Sequence, residues 1–196
     1  MNSEILQSYI SLPKNVSVFF GELVISKKNS RDKLLIFSGP LGEVKLNLKK
    51  VDPFGLGRLK ISEDKQKIII NHKSKKDLKP LKTLIQGKIY GVTIGYLLSL
   101  RIVGVGYRVF LQEDTENSKK NLIFKMGYSH DIKYQLPKSV RGFVLEPTLL
   151  CIYGIDKNQV AEIANKIRNI RPPENYKGKG IRFVDEKITL LQGKRK

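Results

Sequence analysis

Short runs of hydrophobic residues, separated by glycines and polar residues, dominate the first 72 positions of the chain and predict β-strands. The runs on either side of Gly21 predict one hairpin, and those that flank the sequence GPLG at Gly39–Gly42 predict another. Further short strands are expected at Arg58–Ile61 and Lys67–Asn71. This part of the chain is therefore expected to form antiparallel sheet.

The spacing of hydrophobic residues changes after these strands. Between Lys75 and Gly95, leucine and isoleucine recur at intervals of three and four, which is typical of a helix with one buried face. Pro80 lies close enough to the start of this helix to be tolerated. The first half of the chain is thus expected to consist of strands followed by one helix.

The second half follows the same plan. The stretch LSLRIVGVGYRVFL, Leu98–Leu111, precedes a polar loop at Gln112–Lys119 and a series of short strands. The strands are expected at Leu122–Met126, Ile132–Leu136, Phe143–Leu145 and Leu149–Tyr153. A helix from Asp156 to Ile170 follows them, with Asp156 as its N-cap and the double proline after it as a stop. Its predicted buried face consists of Val160, Ile163, Ala164 and Ile167.

Two segments of the chain resemble each other. LIFSGPLGEVKLNL at Leu35–Leu48 and LIFKMGYSHDIKYQL at Leu122–Leu136 share their order of apolar and glycine positions. A repeat of this length indicates a duplicated domain, and chance similarity of two hairpins is the alternative. The predicted fold class is α+β, with two tandem duplicated domains that each pack an antiparallel sheet with one helix. We expect an N-terminal domain at residues 1–97, a C-terminal domain at 98–189 and a basic tail at 190–196.

The formal net charge of the chain is +19, and both halves contribute to it. Such an excess predicts a polyanionic partner. An anionic membrane surface is the alternative, but it requires a basic amphipathic helix or a spanning segment. The nearest candidate, Ile89–Leu100, has 12 residues, whereas a span needs roughly 20. No membrane association is therefore expected.

The cysteine content and the start of the chain bear on the compartment. The single cysteine, Cys151, lies in an apolar run, fits a reducing compartment and is expected to be a small core residue. The first twenty residues resemble neither a secretory signal nor an arginine-rich transit peptide. The chain has 28 lysines and nine arginines, a bias that is typical of an AT-rich genome.

Patterns of catalytic, cofactor or metal sites are missing from the sequence. Gly104 and Gly106 follow a strand, but Val109 stands where a dinucleotide-binding fingerprint needs its third glycine. His72 and His130, with one cysteine, lack the spacing of metal ligands. The chain is therefore not expected to be an enzyme, and no cofactor or metal is expected.

Basic residues and glycines alternate in the segment RPPENYKGKGIR that follows the second predicted helix. Because glycines remove side-chain bulk, backbone amides as well as Lys177, Lys179 and Arg182 could approach phosphates. Tyr176 has two interpretations, stacking on an unpaired base or packing beneath the loop. A solvated charged loop is the alternative to binding, and the glycines and the double proline favour binding.

Several segments together resemble the bacterial-type sixth protein of the large ribosomal subunit. They are LRIVGVGYR, MGYSHDIKYQLP, YGIDKNQVAEIANKIRNIRPPENYKGKGIRFVDE and the terminal QGKRK. The resemblance is close over Gly91–Lys196, where RPPENYKGKGIR is its most specific motif, and weaker over Met1–Lys88. It implies two tandem copies of a small α+β domain and a structural role in the large subunit.

The resemblance also implies partners and contact residues. The second domain would bind large-subunit ribosomal RNA near the region that stimulates translational GTPases, beside neighbouring large-subunit proteins. The residues expected to bind ribosomal RNA are Arg168, Arg171, Tyr176, Lys177, Gly178, Lys179, Gly180, Arg182, Lys194, Arg195 and Lys196. Gly104, Gly106, Gly127 and the pair Ser129–His130 match family motifs as well and are expected mainly to set the fold.

Two alternatives accompany this interpretation. The composition and the QGKRK ending resemble mitochondrially encoded members of the family, which predicts a place in the mitochondrial ribosome of the matrix. A bacterial cytoplasm or a plastid is the alternative location. A free RNA-binding regulator or RNA chaperone that uses the same surface is the alternative function.

Overall fold

The chain forms two compact units. In this computed structural model the described residues are 6–25, 30–51, 57–72, 75–114 and 119–191. The units are Met1–Gly95 and Tyr96–Lys196.

The first unit contains two three-stranded antiparallel sheets and a long helix. Its strands are β1 (Leu6–Ser11), β2 (Ser17–Ile25), β3 (Ser30–Gly39), β4 (Gly42–Asn47), β5 (Gly57–Ile61) and β6 (Lys67–His72). Its helices are the single turn α1 (Leu48–Val51) and α2 (Lys75–Thr93). The sheets have the orders β1-β6-β5 and β2-β3-β4. Helix α2 packs against strands of both sheets and buries Leu81, Ile85, Ile89 and Val92.

The predicted hairpin at Gly21 is wrong. Strand β2 runs through this glycine, which pairs with Leu34 of β3. A Cβ atom at Gly21 would lie 2.9 Å from Cδ1 of Ile36, so the glycine makes room for a neighbouring side chain within the sheet. The hairpin predicted at GPLG is confirmed, since Gly39 pairs with Gly42 across the turn.

The second unit also contains two antiparallel sheets and a helix. Its strands are β7 (Tyr96–Val103), β8 (Arg108–Asp114), β9 (Lys119–Lys125), β10 (Ile132–Gln135), β11 (Val140–Glu146), β12 (Leu149–Gly154) and β13 (Gly180–Phe183). Its helix is α3 (Lys157–Arg168). The sheets have the orders β10-β9-β8 and β11-β12-β7-β13.

The two units share one topology, which confirms the predicted duplication and the α+β class. In each unit the second, third and fourth strands form a meander, and the first strand pairs with the sixth, which pairs with the fifth. The repeated sequence segments occupy equivalent places, because Leu35 and Phe37 of β3 and Leu122 and Phe124 of β9 are all fully buried. Strand β13, which the sequence did not predict, is added in the second unit at the edge of β7.

Helix α3 begins and packs as predicted. The Asp156 carboxylate accepts a hydrogen bond from the Asn158 amide at 3.1 Å, which caps the helix. The four residues of the predicted face are buried in a core that also contains Leu100, Ile102, Leu150 and Ile152. Helix α3 packs against the four-stranded sheet and ends at Arg168. The segment that follows it therefore begins close to the edge of β7.

Candidate nucleic-acid interface

The loop between α3 and β13 is closed by its own backbone. The amide of Glu174 donates to the carbonyl of Lys179 at 3.0 Å, and the amide of Gly178 donates to the carbonyl of Glu174 at 3.0 Å. At the base of the loop, the amide of Ile181 donates to the carbonyl of Arg171 at 2.8 Å. These bonds fix the shape of the RPPENYKGKG segment without help from a partner.

Two glycines allow this tight path. Gly178 has φ of +69° and Gly180 has φ of +135°, conformations that side chains disfavour. A Cβ atom at Gly180 would lie 2.6 Å from the carbonyl oxygen of Pro172. Both glycines are buried, and the amide of Gly178 bonds inside the loop. In this structure the two glycines therefore act through the shape of the loop.

Cationic and aromatic side chains project from the loop. The Tyr176 side chain is 65% exposed, so it does not pack beneath the loop, and its ring is accessible for stacking. Lys177 is exposed beside it, while Lys179 and Arg182 are half-buried. An exposed ring next to several cations is the arrangement that suits unpaired nucleotides.

Arg171 anchors the start of the loop. Its Nη1 atom donates to the carbonyl of Met126 at 2.7 Å, and its guanidinium carbon lies 5.1 and 4.9 Å from the ring centroids of Tyr107 and Tyr128. The Tyr128 hydroxyl in turn donates to the carbonyl of Ile170 at 3.1 Å. The loop is thereby tied to the ends of β8 and β9 through one arginine and two rings.

Small residues make room for this aromatic cluster. A Cβ atom at Gly104 would lie 2.4 Å from the Tyr107 ring, and one at Gly127 would lie 3.3 Å from it. The space beside these glycines is therefore filled by the ring that holds Arg171, which agrees with the expectation that they set the fold.

Arg168 ties the end of α3 to the segment after β13. Its Nε atom donates to Oε2 of Glu186 at 3.0 Å, and its Nη2 atom pairs with the other carboxylate oxygen. The Glu186 carboxylate also accepts from the Phe183 amide at 3.2 Å. The hydrogen bond from Arg168 lowers the pKa of Glu186 and raises the pKa of Arg168 itself.

The predicted contact residues thus fall into three groups. Tyr176, Lys177, Lys179 and Arg182 lie together on the loop and on β13. Arg168 and Arg171 have partners within the protein. Lys194, Arg195 and Lys196 lie outside the described residues.

Several residues that support the site could not be identified from the sequence. Met126, Tyr107 and Tyr128 lie more than forty positions from Arg171 in the chain, and only the fold brings them to it. The pairing of Glu186 with Arg168 could not be predicted either, although only 18 positions separate the two residues. The one usable signal was the recurrence of aromatic residues beside glycines, in GVGYR and MGYS.

Two other features, a cluster of metal ligands and a membrane-spanning helix, are absent from the described residues. Within the described ranges, no three histidine, cysteine, aspartate or glutamate side chains cluster in a way that could hold a metal ion. None of the helices in those ranges combines the length and the hydropathy of a membrane span.

Comparison with known proteins gives a consistent result. The profile of the family described as Ribosomal protein L6 matches residues 103–184. Large ribosomal subunit protein uL6m of Prototheca wickerhamii is 38% identical, over 98% of this chain and 97% of the relative. The uL6 protein of Mycoplasmoides gallisepticum is 35% identical over 98% and 96%, and uL6m of Reclinomonas americana is 34% identical over 99% and 100%.

Proposed function

The chain belongs to the ribosomal protein L6 family, and we propose that it is a structural component of the large subunit of a mitochondrial ribosome. Its role is structural and not enzymatic. Its partners in this role are ribosomal RNA and the neighbouring proteins of the large subunit.

We further propose that the loop between α3 and β13 is the principal contact with large-subunit ribosomal RNA. The observation that supports this is the exposure of Tyr176 and Lys177 on a loop whose backbone is already closed. A preformed loop loses little conformational entropy on binding, so more of the electrostatic and stacking energy appears as affinity. Gly178 and Gly180 contribute by holding the loop in shape.

The remaining predicted residues take different roles in this proposal. Lys179 and Arg182 add phosphate contacts on the β13 side of the loop, and Lys194, Arg195 and Lys196 add contacts from the basic tail. Arg168 and Arg171 support the loop from within the protein. The bound RNA lies near the region that stimulates translational GTPases, so these factors pass close to the protein without being held by it.

The mitochondrial location is proposed from the relatives. Two of the three relatives described above are uL6m proteins that match along nearly their whole length. Bacterial uL6 proteins match as well, and a bacterial or plastid ribosome is the alternative. Fractionation of the source cells, followed by detection of the protein in purified mitochondria, would separate these locations.

The decisive experiment combines sedimentation with crosslinking. Native protein is expected to sediment with the large subunit at moderate salt, and Lys177 or Lys179 is expected to crosslink to its ribosomal RNA. A predominantly free pool that crosslinks to diverse RNAs would instead establish a free RNA-binding regulator or chaperone.

The loop is tested by replacing Lys177 and Lys179 with alanine together. Loss of two phosphate contacts is expected to reduce the slope of log affinity against log salt by about 1.4 to 1.8. Replacement of Lys133 and Lys138, which are exposed elsewhere on the same unit, removes the same charge and serves as the control. If both double variants change the slope equally, the loop is not the contact.

A further inference from the structure

The four-stranded sheet of the second unit has one face that α3 does not cover. Leu100, Ile102, Leu150, Ile152 and Ile181 point to the helix side and are buried in the core. Because side chains alternate along a strand, the residues between them point to the opposite face.

The pairing register places three rows of side chains across this opposite face. The rows are Arg182–Arg101–Leu149, Ser99–Cys151–Phe143 and Leu97–Tyr153–Arg141. The Ser99 hydroxyl lies 3.4 Å from the Cys151 sulfur, which agrees with their common side. We call this surface the arginine face.

The arginine face presents both apolar and cationic side chains to solvent. The Phe143 side chain is 46% exposed and that of Leu97 is 59% exposed. Arg101 and Arg141 are exposed, and Arg182 and Tyr153 are half-buried. Exposed rings interleaved with cations suit a partner that is flat and negatively charged.

Two arginines stand directly opposite each other on this face. Arg182 of β13 pairs with Arg101 of β7 in the register, a separation at which like charges repel. Within the described ranges, neither forms an ion pair with a carboxylate within 4.0 Å, and the Glu186 carboxylate, whose pKa is lowered by Arg168 and also by Arg182, is paired with Arg168. An anion between the two guanidinium groups would convert this repulsion into attraction.

The choice of cation on these strands is unusual for the chain. The whole sequence contains 28 lysines and nine arginines, yet the four strands of this sheet contain three arginines and no lysine. The planar guanidinium group binds a phosphate through two parallel hydrogen bonds, which an ammonium group cannot do. This preference favours phosphate as the anion.

We propose that the arginine face binds a single-stranded segment of RNA. Arg101 and Arg182 hold one phosphate between them, while Phe143 and Tyr153 form a platform on which bases stack. Arg182 belongs to β13, the strand that follows the loop in the chain. An RNA segment that leaves the loop therefore passes onto this face. The inference rests on the proposed function and extends its RNA contact to residues of β7, β11 and β12.

The test uses the full chain and a short oligouridine that carries 4-thiouridine. Arg101→Gln is expected to reduce the salt slope of oligouridine affinity by up to about 0.7, the value for one neutralised phosphate of a single strand, because Arg182 still pairs with the shared phosphate. Phe143→Leu is expected to weaken binding about fivefold or more at fixed salt, because a stacked base is lost, while the slope stays unchanged.

Matched controls lie on the other sheet of the same unit. Arg108 and Phe110 of β8 are also exposed, so Arg108→Gln and Phe110→Leu make the same chemical changes away from the arginine face. Both control variants are expected to bind the oligouridine like the unmodified protein. The folding of all variants is checked by circular dichroism melting.

Crosslinking separates this proposal from the proposed function. A photo-crosslink from 4-thiouridine to the peptide that contains Phe143 or Tyr153 supports the arginine face. Crosslinks confined to the loop, or equal effects of Arg101→Gln and Arg108→Gln, would overturn it while leaving the ribosomal role intact. Equal competition by an oligoglutamate peptide would also overturn it, since the occupant would then be an acidic protein segment.

Discussion

The half-buried guanidinium group of Arg171 contacts groups of the protein, although its position in the sequence suggested a phosphate contact. Its hydrogen bond to Met126 and its two aromatic neighbours satisfy much of what a guanidinium group requires. A side chain in this position governs where the loop begins, so we propose that its effect on RNA binding is indirect.

If Arg171 acts in this way, the substitution Arg171→Met changes the stability of the fold but not the salt dependence of RNA affinity. The variant is expected to lose about 2 kcal/mol in free energy of unfolding, since a charged hydrogen bond and cation–π contacts are removed. Its RNA affinity is expected to fall with an unchanged salt slope. Urea unfolding and salt titration measure the two effects, with Arg108→Met as the control. A slope reduced by about 0.7 to 0.9 would show that Arg171 contacts phosphate directly.

Gly180 is a second residue whose identity is set by its surroundings. Gly180→Ala is expected to destabilise the second unit by more than about 2 kcal/mol, because its positive φ and the close carbonyl of Pro172 both oppose a Cβ atom. Gly106→Ala is the matched control, since Gly106 also has positive φ, +74°, but has nothing within 4 Å of the added atom. If both variants lower the melting temperature equally, the close contact between the added Cβ atom and Pro172 is relieved at no cost in stability.

At the scale of elements, β13 joins the loop to the sheet. This strand has four residues and, in the part of the chain that the structure describes, pairs only with β7, so its formation depends on an edge that another part of the chain provides. The Arg168–Glu186 pair fixes its far end to α3. The loop is thus held on both sides, by Arg171 before it and by Glu186 after it.

The Glu186 contact predicts a pH dependence of stability. Because the folded-state pKa of Glu186 is lowered, its carboxylate stabilises the fold above the unfolded-state value of about 4.3, and this contribution is lost as the pH falls through the folded-state pKa. Glu186→Gln is expected to lower the melting temperature at pH 7 and to reduce its further fall on acidification. Glu162→Gln, which removes an exposed pair with Lys166, is the control. An unchanged acid profile in Glu186→Gln would contradict the assignment.

The elements also show how far sequence reasoning reaches. The spacing of apolar residues was sufficient for α2, α3 and most strands, because each buries one face along its own length. It failed at Gly21, where a glycine that serves packing looks like a turn, and at β13, whose four residues become a strand only beside β7. In the candidate site the loop was predictable from composition, whereas the partners of Arg171 and the pairing of Arg101 with Arg182 depend on contacts between distant parts of the chain.

At the scale of the whole molecule, the two copies of the duplicated fold differ in the elements added to them. Both units build the same arrangement of six strands, but only the second adds β13 among the described residues, and the loop comes with that addition. The predicted RNA contacts therefore concentrate on the copy that contains the additional strand. The basic residues of the first unit, in contrast, lie outside residues 103–184, which the family profile matches.

The single cysteine has a practical consequence for studying these two units. Cys151 lies in the central part of the second unit and is buried, while the first unit contains no thiol. A thiol reagent can therefore modify the protein only at the second unit, when the side chains that cover Cys151 on the arginine face move apart or the unit opens. The rate of thiol labelling then measures the opening motions of the second copy of the duplicated fold without any engineered residue. The first copy contributes nothing to this rate.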